Sequence, residues 1–149
     1  MNMDGANYTT LRPMMPNDFH EAITLAMEKY RPFLPRMSYK GAWNFCDIAS
    51  KDPNYLLIRG NDVFFCAGGM RSFMEPLPTV GAIFIFTKRT NFREVLSALD
   101  AMEDFARRIG AVECGWGNIN GDDLTPIAHK RGYKHASQYF SKPLLGGIH

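Results

Sequence analysis

The chain has 149 residues, of which 46% are hydrophobic and 21% charged, and its formal net charge is +2. This length suits one domain with a full apolar core, and the composition is that of a globular protein. A net charge so close to zero excludes the broad basic surface of a general nucleic-acid-binding protein. We therefore expect a single domain over residues 1–149 and do not expect nucleic acid as a partner.

The three cysteines, Cys46, Cys66 and Cys114, are odd in number, widely spaced and without a CxxC pair. This pattern is typical of buried thiols in a reducing compartment and not of a disulfide framework or a zinc site. Residues 1–4 carry neither the basic run nor the apolar segment of a secretory signal, and no apolar run is long enough to span a bilayer. We expect a cytoplasmic protein that binds no metal.

Two helices are predicted in the first third of the chain. Residues 8–11 alternate weakly, as in a short strand, and a helix capped by Asn17 follows, in which apolar residues recur every three or four positions. A second helix at residues 39–49 places Trp43 and Cys46 on one side. Both helices precede most of the predicted strands.

A hairpin and a glycine pair come next. Strands are predicted at residues 55–58 and 63–67 because these runs have strand-forming composition. Gly60 and Asn61 lie between them, and both tolerate the positive φ that a tight hairpin turn requires. The glycine pair at residues 68–69 predicts a bulge or a close approach of the backbone to a neighbour.

The clearest elements are a fourth strand and the long helix after it. Residues 80–86 form an unbroken apolar run, typical of a strand covered on both faces. Residues 92–109 then follow the 3.6-residue period of an amphipathic helix, and Gly110 is a good C′ residue. The predicted apolar face comprises Phe92, Val95, Leu96, Leu99, Met102, Phe105, Ala106 and Ile109. A strand at residues 112–116, a short helix ending at Lys130 and a last strand or hairpin at residues 133–142 complete the order.

This order, with three short motifs, resembles the GCN5-related N-acetyltransferase (GNAT) family. Residues 10–13 (Thr-Leu-Arg-Pro) and 17–19 (Asn-Asp-Phe) are similar to the family's opening strand and helix start. Residues 105–111 resemble the end of its cofactor helix, and residues 129–133 resemble its closing E-R-x-G-F motif. The resemblance covers nearly the whole chain. It implies an α/β (α+β) fold with a mixed, mostly antiparallel sheet of six or seven strands flanked by about four helices.

The resemblance also implies an acetyl-CoA site at the turn between the fourth strand and the long helix. The family's Q/R-x-x-G-x-G/A motif falls on residues 90–95, where this chain has no glycine. The residues assigned to this site are Ile85, Phe86, Thr87, Lys88, Arg89, Asn91, Phe92, Arg93, Glu94 and Val95, with Asn118 and Asn120 beside the pantetheine arm. An ordinary loop is the alternative for the two asparagines.

Two interpretations of the turn remain open. Asn91 and Glu94 have the spacing of a capping box, whose side chains would occupy the amides that a pyrophosphate needs. Lys88, Arg89 and Arg93 favour the other interpretation, because cations at a helix N-terminus oppose the macrodipole unless an anion lies nearby. A phosphate-bearing ligand would explain them, and so would solvation or pairing with the chain's own carboxylates.

The sequence offers few candidates for the chemical step. The resemblance implies a strand amide near residues 85–87 that polarises the thioester carbonyl, and a tyrosine acid where this chain has Ala128. The candidate catalytic residues are Glu113, as a base acting through water, and His129, which follows Ala128 in the chain. An ordinary surface position is the alternative for each. The resemblance further implies that Trp43 covers an acceptor groove together with Phe73 or Met74.

Two functions of different classes follow. The first is an acyltransferase that moves an acetyl group from acetyl-CoA to an amine or a peptide acceptor. The second is a non-catalytic GNAT-like module that contacts a protein partner, as in tailed bacteriophages, where such proteins occur in virions or act in the host cytoplasm. Relatives also commonly form a homodimer through their last strands, so a second copy of the chain is another possible partner.

Overall fold

The computed structural model describes residues 11–71, 73, 76–117, 125–134, 142 and 144. Its sheet has five strands in chain order, β1 (Arg12–Pro13), β2 (Tyr55–Arg59), β3 (Val63–Met70), β4 (Thr79–Thr87) and β5 (Cys114–Gly115). Neighbouring strands are antiparallel except β4 and β5, which are parallel. The helices are α1 (Pro16–Lys29), a short 3-10 helix (Arg31–Phe33), α2 (Tyr39–Lys51), α3 (Phe92–Arg108) and α4 (Thr125–Lys130).

The predicted fold class is confirmed, because the sheet is mixed, mostly antiparallel and flanked by four α-helices. The described residues contain five strands where six or seven were predicted. Two of the predicted strands fall mainly outside the described residues, at residues 8–11 and 133–142. The hairpin is confirmed, since β2 ends at Arg59, β3 begins at Val63, and the Gly60 amide donates to the Val63 carbonyl at 2.8 Å. The positive φ expected at Gly60 is not found.

Strand β4 contains a bulge that matters for the site. Cys66 pairs with Phe84 and the next residue, Ala67, pairs with Ala82, so Ile83 is the extra residue on β4. The sequence predicted either a bulge or a close backbone approach at the glycine pair in β3, and the second of these is found. That pair allows a close approach, because a Cβ on Gly69 would lie 2.5 Å from the Asn54 Oδ1.

The two faces of the sheet bury separate apolar clusters. Alternate strand residues point to opposite faces, and those on the first face pack against α1 and α2. This first cluster includes Phe19, Ile23, Tyr30, Cys46, Leu57, Phe64, Cys66 and Phe86. The second face packs against α3, and its cluster includes Val63, Phe65, Val80, Ile85, Val95, Leu99, Met102 and Phe105. The site described below lies at the end of β4, next to the N-terminus of α3.

Two details of the helix predictions are wrong. The N-cap of α1 is Met15 and not Asn17, because Pro16 takes the first helical position and the Asp18 carboxylate accepts from the Met15 amide at 2.8 Å. In α3, Leu96 is 38% exposed and Phe92 is 63% exposed, although both were assigned to the buried face. The buried stripe runs through Val95, Leu99 and Met102, and Leu96 lies about 100° around the helix from Val95.

Candidate functional site

The turn between β4 and α3, residues 87–92, is fixed to the rest of the protein through its backbone. The Lys88 amide donates to the Asp62 carbonyl at 2.8 Å, which joins the turn to the β2–β3 hairpin. The Thr87 amide donates to the Tyr30 hydroxyl at 3.1 Å, which joins it to the end of α1. Thr87 therefore has no free amide for polarising a carbonyl, although the sequence placed it among the candidates for that role.

Of the three cations in the turn and the first turn of α3, the two in the turn are paired with carboxylates of the chain itself. The Lys88 Nζ lies 2.7 Å from the Glu21 Oε2, and the Arg89 Nε lies 2.9 Å from the Asp62 Oδ1. The pKa of the Glu21 carboxyl is lowered by the hydrogen bond from Lys88, and the pKa of Asp62 is lowered by hydrogen bonds from Asn91 and Arg89. The chain's own carboxylates thus account for Lys88 and Arg89 without a bound phosphate.

Glu94 anchors the β2–β3 hairpin to α3. Its side chain is only 1% exposed, and its carboxylate accepts from the amides of Asn61 at 2.8 Å, Asp62 at 2.8 Å and Val63 at 3.1 Å. The fit explains Gly60, because a Cβ at that position would lie 2.4 Å from the Glu94 Oε1. The predicted capping box is therefore only half formed. Asn91 caps Glu94, but Glu94 does not return the bond.

This arrangement leaves part of the α3 N-terminus available to an anion. The Asn91 Oδ1 accepts from the Glu94 amide at 3.2 Å. The amides of Phe92 and Arg93 have no acceptor in the part of the chain that the structure describes. The Arg93 side chain is exposed and makes no ion pair with the described residues. The turn therefore presents two amides and one cation, while the buried Glu94 carboxylate is directed away into the hairpin.

A chain of ion pairs runs from β1 to the turn. Arg12 donates to both Asp18 oxygens at 2.8 Å and thereby lowers the pKa of that carboxyl. Arg59 lies between the acids, with its Nη1 3.4 Å from Asp18 and 2.6 Å from Glu21. Glu21 then holds Lys88. Sequence reasoning missed this network because its partners are far apart in the chain and no local pattern connects them.

In the described residues, strand β5 pairs only with the beginning of β4. Their ladder consists of Val80 opposite Cys114 and Gly81 opposite Gly115. Within the described residues the two parallel strands therefore part after Gly81, before β4 reaches the α3 N-terminus. The predicted site residues Ile85 and Phe86 lie in this last part of β4, with side chains 2% and 5% exposed. Val95, predicted at the end of the motif, is buried against the sheet.

An apolar cavity of about 210 Å³ adjoins the same stretch of β4. It is lined by α1, by the segment after the 3-10 helix, by α2 and by the bulged part of β4. A groove between α2 and β4 agrees with the topology implied by the sequence. The cover predicted for this groove, Trp43 with Phe73 or Met74, is not found in the described residues. Trp43 instead packs edge-on against Phe19 at 5.3 Å, Phe73 is 99% exposed, and Met74 lies outside the described residues.

The two predicted catalytic residues, Glu113 and His129, are both exposed. Glu113 precedes β5, where its carbonyl accepts from the Val80 amide at 3.0 Å, and its side chain is exposed. His129 is exposed on α4, and its carbonyl accepts from the Gly132 amide at 3.3 Å. Glu113 lies at the start of β4, about 20 Å along the strand from the α3 turn at 3.3 Å per residue. Asn118 and Asn120 fall outside the described residues.

A second cavity, of about 470 Å³, lies beside Glu113 between α3, β5 and the segment after α4. On its wall the Tyr133 hydroxyl donates to the Glu103 Oε2 at 2.6 Å and lies 3.6 Å from the Cys114 Sγ. Burial and the bond to Glu103 raise the pKa of Tyr133. Arg131 bridges Asp100 and Glu103, so this polar cluster ties α4 to α3.

The described residues show neither a metal-ligating cluster nor a helix that could span a membrane. They contain no group of three or more histidine, cysteine, aspartate or glutamate side chains arranged to hold a metal ion. None of the helices in the described ranges combines the length and the apolar composition that crossing a membrane requires.

Solved structures resemble this chain closely in fold. Glucosamine-6-phosphate N-acetyltransferase from Arabidopsis thaliana gives a TM-score of 0.65 at 10% identity, covering 90% of this chain and 97% of that one. An aminoglycoside N-acetyltransferase in complex with CoA gives 0.65 at 10% identity, covering 91% and 93%. A GNAT family acetyltransferase from Staphylococcus aureus gives 0.60 at 12% identity, covering 90% and 97%.

Comparison by sequence gives no such likeness, since no protein-family model and no curated protein matches the chain. The three structures nevertheless cover nearly the whole of this chain and of their own. None of the three is described as a bacteriophage protein, so a bacteriophage origin stays a prediction. The resemblance inferred from the order of elements and the short motifs is confirmed at the level of structure, and the chain has the fold of the GNAT acetyltransferases.

Proposed function

We propose that the protein is an N-acyltransferase that moves an acetyl group from acetyl-CoA to an amine. The observation that carries the proposal is the parting of β4 and β5, whose ladder in the described residues ends at Gly81 and leaves residues 82–87 of β4 between it and the turn that precedes α3. This opening and the neighbouring turn lie where the motif alignment assigns the coenzyme. The solved aminoglycoside N-acetyltransferase in complex with CoA, which has the same fold, adds support.

The turn fits a pyrophosphate in spite of its missing glycines. The amides of Phe92 and Arg93 point out of the first turn of a helix, a position that favours anions. The Arg93 side chain would supply the charge, while Lys88 and Arg89 hold the turn in shape through Glu21 and Asp62. Repulsion from Glu94 is reduced because its carboxylate is buried in hydrogen bonds to the hairpin.

Acetyl-CoA would supply the acetyl group as a thioester. In the transfer the neutral amine nitrogen bonds to the carbonyl carbon, the C–S bond breaks, and the proton lost by the amine reaches the leaving sulfur, directly or through water. The protein's part is to bind the coenzyme and to place the acceptor beside β4. Glu113 and His129 remain candidates for moving the proton, and the variants Glu113→Gln and His129→Asn test each by a fall in kcat.

A non-catalytic module that contacts a protein is the second candidate. Two observations favour it. The first is that Lys88 and Arg89 are already neutralised by the chain's own carboxylates. The second is that the segment between β3 and β4 exposes apolar side chains, with Met70 57%, Phe73 99% and Leu77 50% exposed. Exposed apolar groups on a loop are typical of an interaction surface. This candidate requires no affinity for acetyl-CoA, so ligand binding separates the two.

The test is a thermal-shift titration with acetyl-CoA and with CoA, followed by an assay of thiol release in the presence of a panel of amines. We expect both ligands to raise the melting temperature. At a hundredfold excess over its dissociation constant, a ligand stabilises the native state by about 2.7 kcal/mol. Thiol release that depends on an amine would establish the transfer. No shift with either ligand at millimolar concentration would contradict the proposal and support the interaction module.

A further inference from the structure

We infer that the apolar cavity beside β4 selects acceptors in which the reactive amine is attached to an apolar group, such as an aromatic ring or a branched hydrocarbon chain. The inference rests on the proposed acyl transfer for the presence of an amine. The preference for an apolar group rests on the cavity itself. Its volume of about 210 Å³ exceeds the roughly 150 Å³ at which a dry apolar cavity takes up benzene.

The side chains that line the cavity present carbon and sulfur atoms to a ligand. Among the described lining residues no side chain is charged, and the larger ones are Ile23, Leu34, Met37, Phe45, Phe84 and Phe86. The one ionisable group among these described residues is the Cys46 thiol, and burial raises its pKa to about 11, so it stays neutral. A hydroxyl or a second ammonium group placed inside would lose its hydration without gaining a partner. The walls therefore disfavour polyamines, sugars and other hydroxylated amines.

The position of the cavity connects it to the reaction. Ile83, the extra residue of the β4 bulge, and its neighbour Phe84 belong to the cavity wall and also to the strand beside the opening between β4 and β5. An apolar group held in the cavity would leave its amine at β4, the strand along which the thioester is proposed to lie. Each methylene that leaves water on binding contributes about fourfold in affinity.

The test compares 2-phenylethylamine with ethanolamine, which keeps the amine and replaces the ring by a hydroxyl. Binding is measured directly by NMR titration of the full chain, with and without acetyl-CoA. We expect saturable binding of 2-phenylethylamine and at least tenfold weaker binding of ethanolamine. Equal affinities for the two amines would overturn the inference.

A matched pair of variants locates the binding. Ala42 lines the cavity from α2, and Asn44 is exposed on the same helix. Ala42→Leu should weaken 2-phenylethylamine binding at least tenfold, because it fills the cavity, whereas Asn44→Leu should leave it within twofold. Circular dichroism and the melting temperature report whether each variant is folded. A folded Ala42→Leu protein with undiminished affinity would overturn the inference.

The inference and the proposed function fail in different ways. If 2-phenylethylamine binds and Ala42→Leu abolishes the binding, while acetyl-CoA neither binds nor releases thiol, the cavity's preference for apolar amines stands and the acyl transfer is wrong. If acetyl-CoA is consumed as fast with ethanolamine as with 2-phenylethylamine, the transfer stands and the cavity does not select the acceptor.

Discussion

The two faces of the sheet are filled to different degrees. The face under α3 is tightly filled along the middle of the helix, where Ala98, Leu99 and Met102 are at most 1% exposed, and its cavity of about 470 Å³ lies further along, beside the polar side chains of Glu103, Arg107 and Glu113. The face under α1 and α2 also has a core, but a cavity of about 210 Å³ remains between the helices and β4. Cores are normally packed without spaces of this size. The middle of α3 is therefore packed for stability, whereas the face under α1 and α2 keeps an apolar space in which we propose that a ligand binds.

The largest effect should come from the filled face. Leu99 is 1% exposed, so Leu99→Ala should destabilise the protein by about 2–5 kcal/mol through lost burial and the cavity left behind. Chemical denaturation checks this, with Leu96→Ala as the control on the exposed side of α3. A Leu99→Ala cost below about 0.5 kcal/mol would break the comparison between the two faces.

The second effect concerns the anchor between α3 and the hairpin. Glu94→Gln keeps the size of the side chain but removes the charge that three amides share, and it places an NH2 donor against other donors. We expect a loss of about 1.5–3 kcal/mol in the free energy of unfolding. Glu28, exposed on α1, supplies the control variant Glu28→Gln. Equal stability of the two variants would show that Glu94 is not an anchor.

A smaller effect is expected at the half-exposed ion pairs of Glu21. Glu21→Gln should cost at most about 1 kcal/mol at neutral pH, because water screens pairs of this kind. Lys88 lowers the pKa of Glu21 in the folded state, so the contribution is complete above the ordinary value of 4.5 and is lost as the pH falls through the lowered value. Denaturation at several pH values should show the two proteins converging in acid. A difference that grows below pH 4 would contradict this sign.

The smallest effect on stability should come from filling the cavity. Ala42→Leu adds apolar volume where space exists, so we expect a change in the free energy of unfolding within about 1 kcal/mol. In a tightly packed core the same addition typically costs about 1–3 kcal/mol. A loss of that size would show that the α2 face is as full as the α3 face, and denaturation of the variant beside the wild type measures it.

The sequence predicted the helices and turns that depend on residues close together in the chain. The period of α3, the C′ role of Gly110 with its φ of 76° and the turn at Gly60 all follow from neighbouring residues. The order of these elements was enough to identify the fold. The partners of the candidate site were not predictable in this way, because Glu94 meets the hairpin and Lys88 meets Glu21 only after the sheet has formed. Glu94 was therefore assigned to a local capping box.

The cavity beside β4 could not be predicted from the sequence either. Ala42, Cys46 and Phe84 are ordinary core residue types, and nothing in their order distinguishes a filled interior from an open one. The bulge at Ile83 has no glycine of its own, which explains why the sequence did not predict it. Packing and register depend on contacts distant in the chain, and periodicity does not report them.

Calorimetric titration of acetyl-CoA into the wild type, Arg93→Ala and Arg108→Ala tests the central claim most directly. Both arginines are exposed on α3, but Arg93 lies in its first turn and Arg108 at its end. The account predicts saturable binding to the wild type, a loss of about ten- to a hundredfold for Arg93→Ala from a charge-assisted contact of about 1.5–3 kcal/mol, and little change for Arg108→Ala. No binding by the wild type, or equal affinities of all three proteins, would contradict it.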